Sequence, residues 1–142
     1  MKIFLPIVAA AIAASFISCG QKSDESKTPE AVKDAFSKNF PGVTPGWEKE
    51  NGNYEAEFKK EGHEMSAVFE SDGTMTESEM EIETTELPSA ALDYIKANYA
   101  GETIKEAAKI TKVNGEINYE AEVKGTDLIF DANGTFLKQD KE

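Results

Sequence analysis

Few side chains in this sequence could do chemistry, and two of them occur only once. Cys19 is the sole cysteine and His63 the sole histidine. A thiolate can be alkylated or bind metal, and an imidazole can move a proton near neutral pH. A nucleophilic triad or dyad would have to run through His63. That residue follows the turn glycine Gly62 among lysines and glutamates, the setting of a solvated loop, so no catalytic residue is assigned and no enzyme is expected. Metal centres that need several His or Cys ligands are excluded by count. Asp131-Ala132-Asn133-Gly134 has the opening spacing of a calcium loop, but the remaining oxygen ligands do not follow and a tight hairpin explains it better. The abundant chemistry is carboxylate. Glu55 and Glu57, Glu77, Glu79 and Glu81, and Glu120 and Glu122 alternate along short runs. Such rows can gather Ca²⁺ or Mg²⁺ weakly, present charge to a partner, or form the solvated side of a strand. Neither a specific metal site nor a cofactor is expected.

The position of Cys19 gives its thiol a purpose. Lys2 precedes an apolar and small-residue run from Ile3 to Ile17, followed by Ser18, Cys19 and Gly20, the order of a signal peptide over residues 1–18. A membrane span needs about 18 to 20 apolar residues, which this run does not reach. Ser15-Phe16-Ile17-Ser18-Cys19-Gly20 resembles the bacterial lipobox, with Phe16 where Leu is more usual. That resemblance implies a lipid-bearing Cys19 as the first mature residue. The competing reading is a secreted protein with one free thiol. Two or three acyl chains, at about 0.8 kcal/mol per buried methylene, anchor durably where one would not. Residues 19–27 then read as a short polar tether, and no intramolecular disulfide can form. Lys22-Ser23-Asp24-Glu25 also resembles the acidic signal behind the lipidated cysteine of surface-exported lipoproteins in Bacteroidetes, so both a periplasmic and a cell-surface address, with the outer membrane as the favoured anchor, stay open.

The chain carries 27 acids against 15 basic residues, all of them lysine, for a net charge of −12. Loss of residues 1–18 removes one lysine and takes it to −13. Without arginine, and with this charge, the chain cannot neutralise phosphates or fork onto guanine, so nucleic acid is rejected as a partner. The charge equally disfavours lying flat on anionic lipid, and it suits positively charged surfaces.

The elements that must position the glutamates come in duplicate. Tyr54-Glu55-Ala56-Glu57-Phe58 recurs as Tyr119-Glu120-Ala121-Glu122-Val123, Pro29 as Pro88, Phe36 as Ile95, and Phe69 with Gly73 as Phe130 with Gly134. The offsets run from 59 to 65 residues, which predicts two tandem units, 28–84 and 85–142. Each opens with a helix. Thr28 is the expected N-cap before Pro29, and Val32, Ala35, Phe36 and Phe40 share one face before Pro41-Gly42 stops the helix. Pro88, Ala91, Leu92, Ile95 and Tyr99 repeat the pattern. The period then changes to two, with hairpin signals at Asn51-Gly52, Gly62, Asp72-Gly73, Asn114-Gly115, Gly125 and Asn133-Gly134. The expected fold is therefore α+β: twice over, a helix packed on an antiparallel four-stranded meander. Edge-to-edge pairing into one continuous sheet would remove two exposed edges. Tyr54, Ala56 and Phe58 face the helix, so Glu55 and Glu57 point away, and Met80 and Ile82 lie opposite Glu77, Glu79 and Glu81. Trp47 either caps the core or anchors a partner; the core reading is preferred, and Trp47 is retained as a candidate contact.

The helix ending Phe40-Pro41-Gly42, Trp47, Tyr54 to Phe58, Phe69 with Asp72-Gly73, the acidic run from Glu77 into Leu87-Pro88, and Tyr119 to Val123 together resemble the PepSY-like, beta-lactamase-inhibitor-like family of exported Bacteroidetes proteins. The resemblance implies a helix on a four-stranded sheet in each unit with the other sheet face open, the face with which the beta-lactamase inhibitor protein grips its enzyme. That inhibitor's units are braced by disulfides, which this chain cannot make. The resulting expectation is a lipid-anchored envelope module that binds an envelope or extracellular protein or peptide through Trp47, Glu55, Glu57, Glu77, Glu79, Glu120 and Glu122. The alternative is a cation-binding or passive structural lipoprotein.

Overall fold

The computed structural model describes residues 27–141; the expected signal peptide 1–18, Cys19 and the expected tether as far as residue 26 lie outside the described residues. The two apolar stripes form the two helices. α1 spans Glu30–Asn39 and buries Val32 and Phe36, four residues apart and hence stacked on one face. α2 spans Ser89–Asn98 and buries Ala91 and Ile95 at the same spacing. The expectation that Thr28 caps α1 is corrected. Pro29 holds that place, its carbonyl accepting from the Val32 and Lys33 N–H groups, and Pro88 does the same for Ala91 and Leu92. Both prolines have the extended backbone a capping residue needs, no side-chain cap is made, and Thr28 is buried.

Four strands follow each helix: β1 Gly46–Glu50, β2 Asn53–Lys60, β3 His63–Phe69 and β4 Met75–Glu81 after α1, and β5 Ile104–Lys112, β6 Ile117–Val123, β7 Thr126–Asp131 and β8 Phe136–Lys141 after α2. They form one antiparallel sheet in simple chain order. A short 3₁₀ turn, Thr84–Glu86, leads from β4 toward α2. The seam between the halves is the β4–β5 pair, from Glu77 opposite Lys112 to Glu81 opposite Ala108. The turns divide into two kinds. Asn51-Gly52, Glu61-Gly62 and Lys124-Gly125 have positive φ at both residues, as a type I′ turn requires. At Asp72-Gly73, Asn114-Gly115 and Asn133-Gly134 only the glycine is positive, so these are wider turns closed by a left-handed glycine, not the type I′ turns their sequence suggested.

One sheet face carries both apolar clusters. The first joins Val32, Phe36 and Phe40 to Trp47, Tyr54, Ala56, Phe58, Ala67 and Phe69. The second joins Leu87, Ala91 and Ile95 to Ile82, Ala107, Ala121, Val123, Leu128 and Phe130, with Met80 packed against it. The α+β class and the continuous antiparallel sheet agree with expectation.

Candidate functional site: the acidic sheet face

Period-two alternation fixes which way each glutamate points. Ala56 pairs with Trp47 and Ala67 on the helix side, so Glu55 and Glu57 fall on the other. The same parity carries across the sheet. Ser66 pairs with Glu79, Glu79 with Ile110 and Ile110 with Asn118; Glu81 pairs with Ala108 and Ala108 with Glu120. The six expected glutamates therefore lie on one face, but not as a solvated row. Glu55, Glu79, Glu120 and Glu122 are only 6–9% exposed, whereas Glu77 is half-buried and Glu57, opposite Gly46, is exposed. Trp47 is corrected as a partner contact. It is 7% exposed beneath α1, its ring 5.5 Å from Phe36 and 6.1 Å from Phe69. The Ala56 opposite it leaves room for the indole in the core.

Crowding of acids out of water sets the electrostatics. Burial pushes the Glu120 carboxyl up to about 8, with Asp127 adding to the rise and Lys138 opposing it. Glu79 is raised well above the usual carboxylate range, first by burial and then by Glu120 and Glu55. Glu57 is raised by partial burial and by Glu48 and Glu64. Glu122 is held differently: Lys105 Nζ lies 3.0 Å from both of its oxygens. Lys105 sits where the β5–β6 register slips, which lets its side chain reach the acidic face. Lys59 meets Glu64 at 2.7 Å, and Lys138 pairs with Asp140. His63 opens β3, exposed, with Nδ1 3.3 Å from the Glu81 carbonyl.

Residues that alternation did not single out complete the face. Ala108, Ile110 and Ile129 are buried among the acids, as are Asn118 and Asp127. A recess of about 170 Å³ lies between Glu77 on β4 and Lys138 on β8. Asn118 Oδ1 and Glu120 Oε2 are buried without a hydrogen-bond partner among the described residues. The sequence held a signal for this half. Leu128-Ile129-Phe130, and Ala107-Ala108 followed by Ile110, break the alternation, which marks strands apolar on both faces. Asn118 carried no such signal. Chemically the face can accept hydrogen bonds and attract cationic groups; among the described residues no three His, Cys, Asp or Glu side chains are arranged to hold a metal ion.

Several solved structures share the fold. One described as among "putative periplasmic proteins", from Bacteroides eggerthii, aligns with TM-score 0.73 at 17% identity over 80% of this chain and 88% of the other. A DUF2874 family protein from Bacteroides ovatus aligns with TM-score 0.72 at 17% identity, over 86% and 89%. A BLIP-like protein from Bacteroides fragilis aligns with TM-score 0.63 at 22% identity, over 83% and 91%. At such identities the likeness is one of fold. No curated protein matches the sequence. The family described as "Putative beta-lactamase-inhibitor-like, PepSY-like" matches residues 17–77 and again 52–138. The matches span both helices and reach into β8, and the chain belongs to the beta-lactamase-inhibitor-like, PepSY-like family.

Proposed function

We propose that this is a non-enzymatic, lipid-anchored protein of the bacterial envelope that binds a protein or peptide through its acidic sheet face. The observation that carries the reading is the gathering of Glu55, Glu57, Glu77, Glu79, Glu120 and Glu122 on the face opposite both apolar clusters. A purely passive face would leave its carboxylates in water, where they are most stable. Here four of them are held nearly dry at a cost in solvation, as expected of a surface built to be covered. The chain is two tandem units, each a helix on a four-stranded meander, and the recurrence of one helix and four strands in each half supports that division. The BLIP-like description of one neighbour supports a binding role, and the periplasmic description of another supports export. Cys19 in its lipobox-like setting supplies the anchor.

Crosslinking and capture from native envelopes tests the reading. A partner held by the face is lost when Glu57 and Glu77, the more exposed of the set, are both changed to Lys. Capture of every partner unchanged by that double substitution would sink it.

A further inference from the structure

The recess on the acidic face has the size of one side chain. Its volume of about 170 Å³ is comparable to the roughly 150 Å³ apolar cavity that accommodates a benzene ring. Its walls are of two kinds. Ile110 and Ile129, 5% and 3% exposed, together with Leu137 form the apolar part. Leu137 sits where the β7–β8 register slips and is 50% exposed, an unusual place for a leucine in a chain this acidic. Val113, just beyond Lys112 at the rim, is 70% exposed and is the other large apolar residue left in water among the described residues.

The polar wall is Asn118, 5% exposed. Its Nδ2 donates to Glu116 Oε1 at 3.3 Å, which fixes the amide so that Oδ1 is the other end. That oxygen lacks a hydrogen-bond partner among the described residues. A dry acceptor left unpaired is costly, and the cost is recovered when a donor arrives. An occupant must therefore bring an apolar stem and an N–H donor. Its charge is set by the surroundings. Lys112 and Lys138 reach the recess, but Lys138 pairs with Asp140. That leaves Lys112 against two acids that line the recess, Glu77 and Glu116.

We propose that this recess is a specificity pocket for one lysine or arginine side chain of a partner polypeptide. The aliphatic stem lies on Ile110, Ile129 and Leu137, and the cationic nitrogen donates to Asn118 Oδ1 and the Glu77 carboxylate. The assignment rests on the reading that the acidic face docks a polypeptide. It adds where the face takes hold and of what.

Amide-resolved NMR titration of the soluble mature domain, with Cys19 replaced by Ser, tests it with three probes: blocked lysine, blocked arginine and blocked norleucine. Saturable shifts at Ile110, Asn118, Ile129 and Leu137 are expected with the first two and not with norleucine. Asn118→Ala and Leu137→Lys should each weaken them at least tenfold, the second by placing an ammonium group at the mouth from an exposed position that leaves the fold intact. Equal shifts with norleucine, saturable shifts confined to another surface, or no saturable shift at the recess would each overturn the pocket. Envelope capture separates the two readings. If Leu137→Lys retains a partner that the Glu57 and Glu77 reversal loses, the pocket is wrong and the face is right.

Discussion

Glu120 is where the physical cost of the acidic face is most concentrated. Its carboxyl is raised to about 8 by burial and by Asp127, so the folded protein retains a proton there that the unfolded chain releases near 4.5. The linkage has a definite sign. The stability associated with this proton is complete below 4.5, declines as pH rises toward 8, and stays lost above it. A shift of this size is worth several kcal/mol, and Glu79, raised for the same reasons, acts in the same direction. Glu120→Gln should therefore raise Tm clearly at pH 8, leave it nearly unchanged at pH 4.5, and flatten the pH profile in between. Calorimetry across that range checks it, and a uniform effect at all pH values would contradict the assignment. Asp72 and Asp131 behave oppositely. Backbone N–H donors, from Thr74 at 2.8 Å and from Thr135 at 2.9 Å, hold their carboxyls below the usual range, so their contribution is lost only in stronger acid.

At the scale of elements, the two helices are seated on the sheet by corresponding turns. A Cβ on Gly73 would lie 2.5 Å from the Ala31 carbonyl oxygen, and one on Gly134 would lie 2.7 Å from the Ala91 nitrogen. Both glycines also have positive φ, so each is required by conformation and by contact. Gly73→Ala and Gly134→Ala should each cost about 2–4 kcal/mol, measured by urea denaturation. The first helix is held by aromatic packing. Phe36 lies 5.1 Å from Phe58, 5.2 Å from Phe40 and 5.5 Å from Trp47, and Phe36→Ala should cost about 3–5 kcal/mol. Packing in the second half differs. Tyr94 stacks on Phe136 at 4.5 Å, and Ala91 and Ile95 replace the larger side chains of α1.

At the scale of the whole molecule, the β4–β5 seam joins two apolar clusters that no disulfide can tie together. Units of this size bury too little surface to be secure alone, and the shared ladder couples them. A single calorimetric transition is expected, shifted as one by Phe69→Ala in the first cluster or Phe130→Ala in the second. Two resolved transitions would show that the seam does not couple them. The net charge of −12 opposes the compact state throughout. Raising sodium chloride from low to about 0.5 M should therefore increase Tm, since screening shortens the reach of that repulsion to a few ångströms.

The sequence by itself determined the class of the fold, the duplicated order of helix and strands, and the side of the sheet on which each glutamate stands. Those properties follow from local periodicity, from proline and glycine, and from the parity of a pleated strand. It also determined that Trp47 is large and apolar, but only the packing of α1 decided that the ring belongs to the core. Burial of the glutamates was not legible, because alternation gives direction and not depth. Depth depends on neighbours across the register, such as Ile110 beside Glu79 and Ala108 beside Glu120, which are distant in sequence. The glycine-closed turns, the Lys105–Glu122 contact and the recess beside Asn118 likewise arise from pairing and register slips that tertiary structure alone decides. The face that reads as a solvated row of acids became, once eight strands were aligned, one on which four of the six glutamates are buried.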